Sequence, residues 1–226
     1  MTERPYYEAY DERYKTVHAQ QIRWFGDEPS AVVGETICRY QIHKRMNILE
    51  IGCGEGRDAI PLLKNGYTVL ATDVSPEAVR YCRDLCPEYE TCFQVLDCIH
   101  EKITQKFDFI FADAVIHMLV RDEDRSAFFQ FVYNHLKADG TALICSMGDG
   151  EMQRQSDIAT AFELQERTCG EKTVMVAGTS CRMVDFPTLE REITAAGLTM
   201  VEKGMTEIPE NFPCMMYGVV RRKKNR

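Results

Sequence analysis

The run Asn47-Ile48-Leu49-Glu50-Ile51-Gly52-Cys53-Gly54-Glu55-Gly56-Arg57, followed by Val69-Leu70-Ala71-Thr72-Asp73, holds the residues whose types and spacing could do chemistry. A short apolar run ending in three alternating glycines, then a second apolar run closed by an aspartate, is what a parallel sheet needs to hold an adenosyl ligand at its carboxyl edge. Gly52, Gly54 and Gly56 let the chain turn sharply out of the first strand and bring main chain close to a ligand, where any Cβ would collide. Asp73 closes the second strand with an acceptor-only group, which fits the neighbouring hydroxyls of a ribose.

The spacing separates the candidate ligands. A dinucleotide loop reads G-x-G-x-x-G and delivers a pyrophosphate to the following helix. Here the third glycine comes one residue earlier, position 57 is Arg, and Glu50 stands just before the loop. A carboxylate is unwelcome beside a diphosphate and suits a ligand carrying an ammonium or sulfonium. The expected cofactor is therefore S-adenosyl-L-methionine, with S-adenosyl-L-homocysteine as its product. A dinucleotide-binding oxidoreductase, or a sensor that binds an adenosyl ligand without catalysis, remains the alternative.

The elements that must position these residues follow from the hydrophobic rhythm. Strands are expected near 47–51, 68–73, 91–96, 107–112 and 141–147, with helices between them, which is the pattern of a parallel sheet covered on both faces. Ser75-Pro76-Glu77 supplies an N-cap, a proline at the first helical position and an acid in the first turn, and Pro87 stops that helix. Gly66 follows a helix end, Asp139-Gly140 reads as a turn, and Pro61 falls in the first turn of the helix after the glycine loop. Residues 1–45 differ in character: Tyr6, Tyr7, Tyr10, Tyr14, Trp24 and Phe25 crowd a segment expected to form amphipathic helices and to act as a lid. Residues 148–185 interrupt the rhythm, with a helix expected over 157–167 and a short strand over 173–176, in a position suited to cover the carboxyl edge. A helix opening at Phe186-Pro187 and ending at Gly197, then strands near 198–203 and 215–221 paired antiparallel at an edge, complete the chain.

Composition narrows the class. A chain of 226 residues with 45% hydrophobic content suits one α/β domain plus a short appendage, and a formal net charge of −8 gives no general field for attracting nucleic acid. The basic run Arg221-Arg222-Lys223-Lys224 with Arg226 reads as a solvated tail. No apolar run is long enough to span a bilayer, and Met1-Thr2-Glu3-Arg4-Pro5 lacks a signal-peptide core, so a cytoplasmic location is expected. The ten cysteines are scattered without a C-x-x-C pair, which favours reduced thiols and no metal site.

Ile48 to Arg57, Asp73, Val95-Leu96-Asp97-Cys98, Phe107 to Ala114 and Leu136 to Thr141 resemble, in order, the successive motifs of class I S-adenosylmethionine-dependent methyltransferases. Gly56-Arg57-Asp58-Ala59 is similar to the tellurite-resistance and thiopurine-type small-molecule branch. The resemblance covers the core, not residues 1–45 or 148–185. It implies a Rossmann-like, seven-stranded, mostly parallel sheet with helices on both faces and the last strand antiparallel. The domain would span 46–226, behind an N-terminal helical cap over 1–45. It also implies that Glu50, Gly52 and Gly54 border the methionine end of the cofactor, that Cys53 and Gly56 belong to the same cofactor site, that Asp73 holds the ribose and that Val74 packs on adenine. Asp97 and Cys98 would meet the adenine edge, and Asp113 and Ala114 would face the sulfonium and the incoming substrate.

The remaining candidates come from position and chemistry. His117, just past the fourth strand, is the one histidine placed to take a proton from an acceptor, although a structural role competes. Tyr10, Tyr14 and Trp24 are candidates for closing the site, and Met147, Met152, Met175 and Met183 for an adaptable pocket. No Asn-Pro-Pro-Tyr or Asp-Pro-Pro-Tyr clamp follows the fourth strand; Asp113-Ala114-Val115-Ile116 stands there instead. A small-molecule oxygen, sulfur or nitrogen nucleophile is thus expected rather than RNA or protein, in a monomer or homodimer.

Overall fold

The computed structural model describes residues 4–169, 172–206 and 214–223. A 3-10 turn over Tyr6–Glu8 leads into α1 (Ala9–Ala19), and α2 spans Ala31–Arg39. The core then alternates β1 (Asn47–Ile51), α3 (Ala59–Lys64), β2 (Thr68–Asp73), α4 (Pro76–Leu85), β3 (Phe93–Val95), β4 (Phe107–Ala112), α5 (Asp122–His135) and β5 (Leu136–Met147). Four short strands follow, β6 (Arg154–Gln155), β7 (Leu164–Cys169), β8 (Lys172–Ala177) and β9 (Arg182–Met183), and the chain continues through α6 (Phe186–Ala195), β10 (Leu198–Thr206) and β11 (Met215–Arg222).

Seven strands form one sheet in the order β10-β11-β5-β4-β1-β2-β3. The pairs β1–β2, β1–β4, β2–β3 and β4–β5 are parallel, and β11 runs antiparallel to both of its neighbours. This is the sheet that the sequence predicts, with the single reversed strand inserted between β5 and β10. Because both faces are covered, successive residues alternate between two apolar layers rather than between core and water. Leu49, Ile110 and Ile144 pack with Phe128, Val132 and Ile193 on the α5–α6 side. Ile48, Phe109 and Leu143 pack with Ile37, Leu63 and Val79 on the α2–α3–α4 side.

Local punctuation behaves as its chemistry dictates. Ser75 Oγ accepts from the Ala78 N–H at 3.0 Å and Pro76 takes the first position of α4. Pro61 is the third residue of α3, where its missing N–H leaves no helical bond unmade. Asp139-Gly140 lies inside β5 rather than before it. The register with β4 jumps between Phe107↔Leu136 and Phe109↔Thr141, so the expected turn is an excursion within the strand.

Two expectations fail. Residues 157–167 are not a helix: a 3-10 turn over Ile158–Thr160 gives way to β7, which pairs antiparallel with β8. Pairing with β8 overrides the helical propensity of Leu164 to Glu166. The hairpin turns Cys169, Val174 and Val176 onto Val17 of α1, and β-branched Val174 and Val176 suit a strand there. Trp24 and Phe25 lie between helices rather than on one. Lys224 and Arg226 of the basic tail fall outside the described residues, and Arg221 and Arg222 belong to β11. No helix among the described residues is long and apolar enough to cross a membrane.

Candidate active site

A cleft enclosing about 970 Å³, open solvent included, lies at the carboxyl ends of β1, β2 and β4. Glu50, Gly52, Cys53, Gly54, Asp73, Val74, Asp97, Cys98, Asp113 and Ala114 all line it, as do Tyr10 and Tyr14 of α1. Gly56 does not. Its φ is +78°, and a Cβ there would meet Ile60 Cδ1 at 2.6 Å and Cys82 Sγ at 3.1 Å, so this glycine serves the packing of α3 and α4 beneath the loop. Gly54 serves the cleft: with φ of +51°, its Cβ would lie 2.7 Å from the Tyr14 hydroxyl.

The loop is tied down at each step. Gly52 and Cys53 N–H both donate to the Thr72 carbonyl at 2.7 and 2.9 Å, fixing the loop to β2. Asp73 accepts from Gly54 N–H and from Ser75 N–H, each at 2.8 Å, yet its burial outweighs these bonds and raises its pKa to about 6. Asp73 lines the cleft, where hydroxyl donors of a ligand would favour its ionised form.

Three buried carboxyls surround one guanidinium at the floor. Arg57 bonds Asp113 at 2.5 Å and lies 3.5 Å from Asp58, while Ser30 donates to both acids. Glu50 is 2% exposed, and burial, with Asp58 adding to it, holds its pKa well above the usual carboxylate range. Among the described residues, Glu50 Oε2 and Asp113 Oδ1 have no hydrogen-bond partner although both are buried. Buried acceptors without donors are costly. Acceptor-only groups lining a cleft, with more acid than base among them, fit a ligand that brings positive charge.

The N-terminal segment closes over this floor through the aromatic residues Tyr7, Trp24 and Phe25 and through acids and a histidine whose partners lie far away in sequence. Tyr7 Oη donates to Asp97 Oδ2 at 2.9 Å, and burial followed by the Asp97 charge pushes its pKa up. Asp11 accepts from Ser75 Oγ at 2.7 Å and from Glu77 N–H at 3.1 Å. Glu55, inside the glycine loop, accepts from the N–H groups of Trp24 and Phe25 at 2.8 and 2.9 Å. His18 bridges Glu55 at 3.0 Å and Glu77 at 2.8 Å while stacked on Tyr81; burial opposes its charge, but the two carboxylates prevail and its pKa is raised. The aromatic crowding of 1–45 signalled a lid in the sequence, whereas Asp11 and His18 carried no such signal.

His117 and Trp24 line a second space instead, of about 1580 Å³ with open solvent, between α1 and the β6–β9 strands. It meets the first cleft at Tyr10 and Phe25, which line both. Burial, with the Arg125 charge adding to it, lowers the His117 pKa to about 3, and Nδ1 accepts from Met147 N–H at 3.3 Å. Its burial and lowered pKa favour the structural role that competes with proton acceptance in the sequence reading. Met147 and Met183 face this space, whereas Met152 and Met175 are half exposed elsewhere. Among the described residues no cluster of three His, Cys, Asp or Glu could hold a metal.

Comparison with known proteins adds an independent line. Residues 49–142 match a family described as "Methyltransferase domain". A malonyl-[acyl-carrier protein] O-methyltransferase from Acetivibrio thermocellus is 27% identical over 106 residues, 46% of this chain and 36% of that protein, so the match spans about a third of the relative's length. The chain superposes on Burkholderia thailandensis 1,6-didemethyltoxoflavin-N1-methyltransferase, solved with S-adenosylhomocysteine, at TM-score 0.69 and 17% identity, covering 99% of this chain and 92% of the other. A TehB-like S-adenosylmethionine-dependent methyltransferase from Corynebacterium glutamicum gives TM-score 0.59 at 19% identity, covering 96% and 98%. These likenesses do not single out the tellurite-resistance branch suggested by Gly56-Arg57-Asp58-Ala59. The glycine-loop segment thus matches a methyltransferase domain over 49–142, and the whole sheet has the fold of S-adenosylmethionine-dependent methyltransferases.

Proposed function

We propose that this protein transfers a methyl group from S-adenosyl-L-methionine to a small molecule. The observation that carries the reading is the pair of buried, unpartnered acceptors, Glu50 Oε2 and Asp113 Oδ1, beside the glycine loop. When bound, the cofactor supplies a methyl group already activated by its sulfonium.

The chain's own residues then bind, orient and exclude water. Glu50 and Asp113 would hold the cationic methionine end, the loop at Gly52 and Gly54 would meet it with main chain, and Asp73 would accept from the ribose. Asp97, steadied by Tyr7, and Cys98 would border the adenine, with Val74 against its face. Tyr10 and Tyr14 form the roof; by holding nucleophile and methyl group in line in a dry site they supply the positioning that lowers the barrier by several kcal/mol. With His117 neutral and weakly basic, the reaction runs without it as general base, which an activated methyl donor permits. The named activity of the Burkholderia enzyme, on 1,6-didemethyltoxoflavin, is in keeping with a small-molecule acceptor, while one relative is named an N1-methyltransferase and the other an O-methyltransferase, so together they do not choose the atom. The 1–45 segment acts as cap and 148–185 as the wall of the acceptor space in this reading.

Calorimetric titration with S-adenosylmethionine, S-adenosylhomocysteine and NAD, on the wild type and Asp73→Asn, tests it. Both adenosyl compounds bind the wild type, and loss of a charged hydrogen bond of about 1.5–3 kcal/mol weakens them roughly 10- to 100-fold in the variant. Binding of NAD alone sinks the proposal.

A further inference from the structure

The second cavity carries a charge pattern opposite to that of the chain. The protein has a formal net charge of −8, yet the described residues lining this space include Arg13, Arg154 and Arg167 and no aspartate or glutamate. None of the three forms an ion pair among the described residues. Arg13 donates to the carbonyls of Ala177 and Gly178 and to Thr179 Oγ1, and Arg167 to the Glu166 carbonyl and Gln165 Oε1. Arg13 is 4% exposed, its guanidinium 4.4 Å from the centre of the Trp24 ring and 4.8 Å from that of Tyr10. Burial first, and then the charge of Arg167, work against the Arg13 cation. Assembling like charges around a cavity with no counter-charge of the chain's own is unfavourable until an anion enters, and guanidinium is the side chain suited to bind carboxylate or phosphate oxygens. The aromatic rings beside Arg13 offer a flat apolar body its place.

We propose that this cavity is the acceptor site and that its occupant is an aromatic-bodied small molecule bearing an anionic oxygen group, a carboxylate or a phosphate ester, held by Arg154 and Arg167. The inference rests on the methyltransferase reading, because the cavity meets the cofactor cleft across Tyr10 and Phe25. Arg13 shapes the site by holding residues 177–179. Arg154 and Arg167 lie on exposed strand positions, so glutamine in either place leaves the fold intact.

The test uses fluorescence of Trp24, the only tryptophan, in protein saturated with S-adenosylhomocysteine, titrated with benzoate, phenyl phosphate and neutral benzamide. At least one anion gives a saturable change roughly tenfold tighter than benzamide, and which anion is tighter assigns carboxylate or phosphate. Arg154→Gln and Arg167→Gln each weaken that anion about fivefold, leaving benzamide and S-adenosylhomocysteine affinities unchanged. Equal response to benzamide, anion binding indifferent to both variants, or no saturable response to either anion overturns the proposal while S-adenosylhomocysteine still binds. Failure of S-adenosylhomocysteine itself to bind sinks the methyltransferase reading, and with it this one.

Discussion

Replacing Glu50 by Gln separates that side chain's charge from its shape. In the ligand-free cleft the carboxyl is 2% exposed, its Oε2 is unpartnered among the described residues, and burial biases it toward its protonated form. Gln is nearly isosteric with the protonated acid, so the variant's unfolding free energy at neutral pH changes by less than about 1 kcal/mol. A cationic ligand reverses the comparison. A unit positive charge taken at about 5 Å, in an effective dielectric of about 20, is worth about 3 kcal/mol to the ionised carboxylate. Lifting the carboxyl out of its protonated form consumes part of that, so S-adenosylmethionine weakens roughly 30-fold in Glu50→Gln. S-adenosylhomocysteine keeps the ammonium but lacks the sulfonium charge and weakens less. Calorimetry in two buffers of different ionisation enthalpy at one pH reads both quantities: the wild type releases a proton as Glu50 ionises on binding, and the variant does not. Equal affinity and equal proton release in the two proteins, or a ligand-free variant destabilised by several kcal/mol, would refute the reasoning.

Other outcomes follow from the same geometry. Gly54→Ala places a Cβ 2.7 Å from the Tyr14 hydroxyl at a φ of +51°, costing about 1–2 kcal/mol and weakening the cofactor. Adding Tyr14→Phe recovers part of the loss in thermal unfolding, and no recovery would show that strain at Gly54 alone is responsible. His18 has a raised folded pKa, so its contribution is fully present below about pH 6.5 and lost as pH rises through the folded value. The protection factors of α1 amides, corrected for intrinsic exchange, therefore fall over that window, and His18→Gln removes that fall; protection factors flat with pH in the wild type count against the bridge. Arg125 is fully buried, paired with Glu192 at 2.7 and 2.8 Å and bonded to the Ile116 carbonyl at 2.8 Å. Arg125→Met strands Glu192 and costs about 3–5 kcal/mol in denaturant unfolding, a prediction that a change under 1 kcal/mol would contradict.

What the sequence made legible was whatever local pattern determines. The apolar runs around Ile48 and Phe109 had to be strands, and Ser75-Pro76 had to start a helix, because neither depends on a distant partner. The acids at the strand ends were readable for the same reason: a parallel sheet delivers them all to one edge. Their partners were not. Nothing near Asp97 in sequence announces Tyr7, and nothing near Asp113 announces Arg57 and Ser30; these contacts exist only once the turn before α1, the start of α2 and the glycine loop have docked. Residues 157–167 misled for a related reason, since Leu164 to Arg167 are held extended by pairing with β8, whose Val174 and Val176 pack on Val17. Gly56 was read as a ligand contact because the motif treats its three glycines alike, while Ile60 and Cys82 give the third one a different task.

Tyr10 and Phe25 stand as a partition with one side toward each cavity, and the partition is anchored to the glycine loop itself. The Phe25 N–H is fastened to Glu55, the Phe25 ring lies 5.6 Å beneath the Arg57 guanidinium, and Tyr10 shares α1 with Tyr14 above Gly54. On the proposed function, a donor in the first compartment would brace the wall of the second, and an ordered mechanism is then expected, with the donor first to bind and its spent form last to leave. Initial-rate studies would then find S-adenosylhomocysteine competitive with the methyl donor and noncompetitive with the acceptor. A random-order pattern would mean that the partition stands rigid whichever side is occupied.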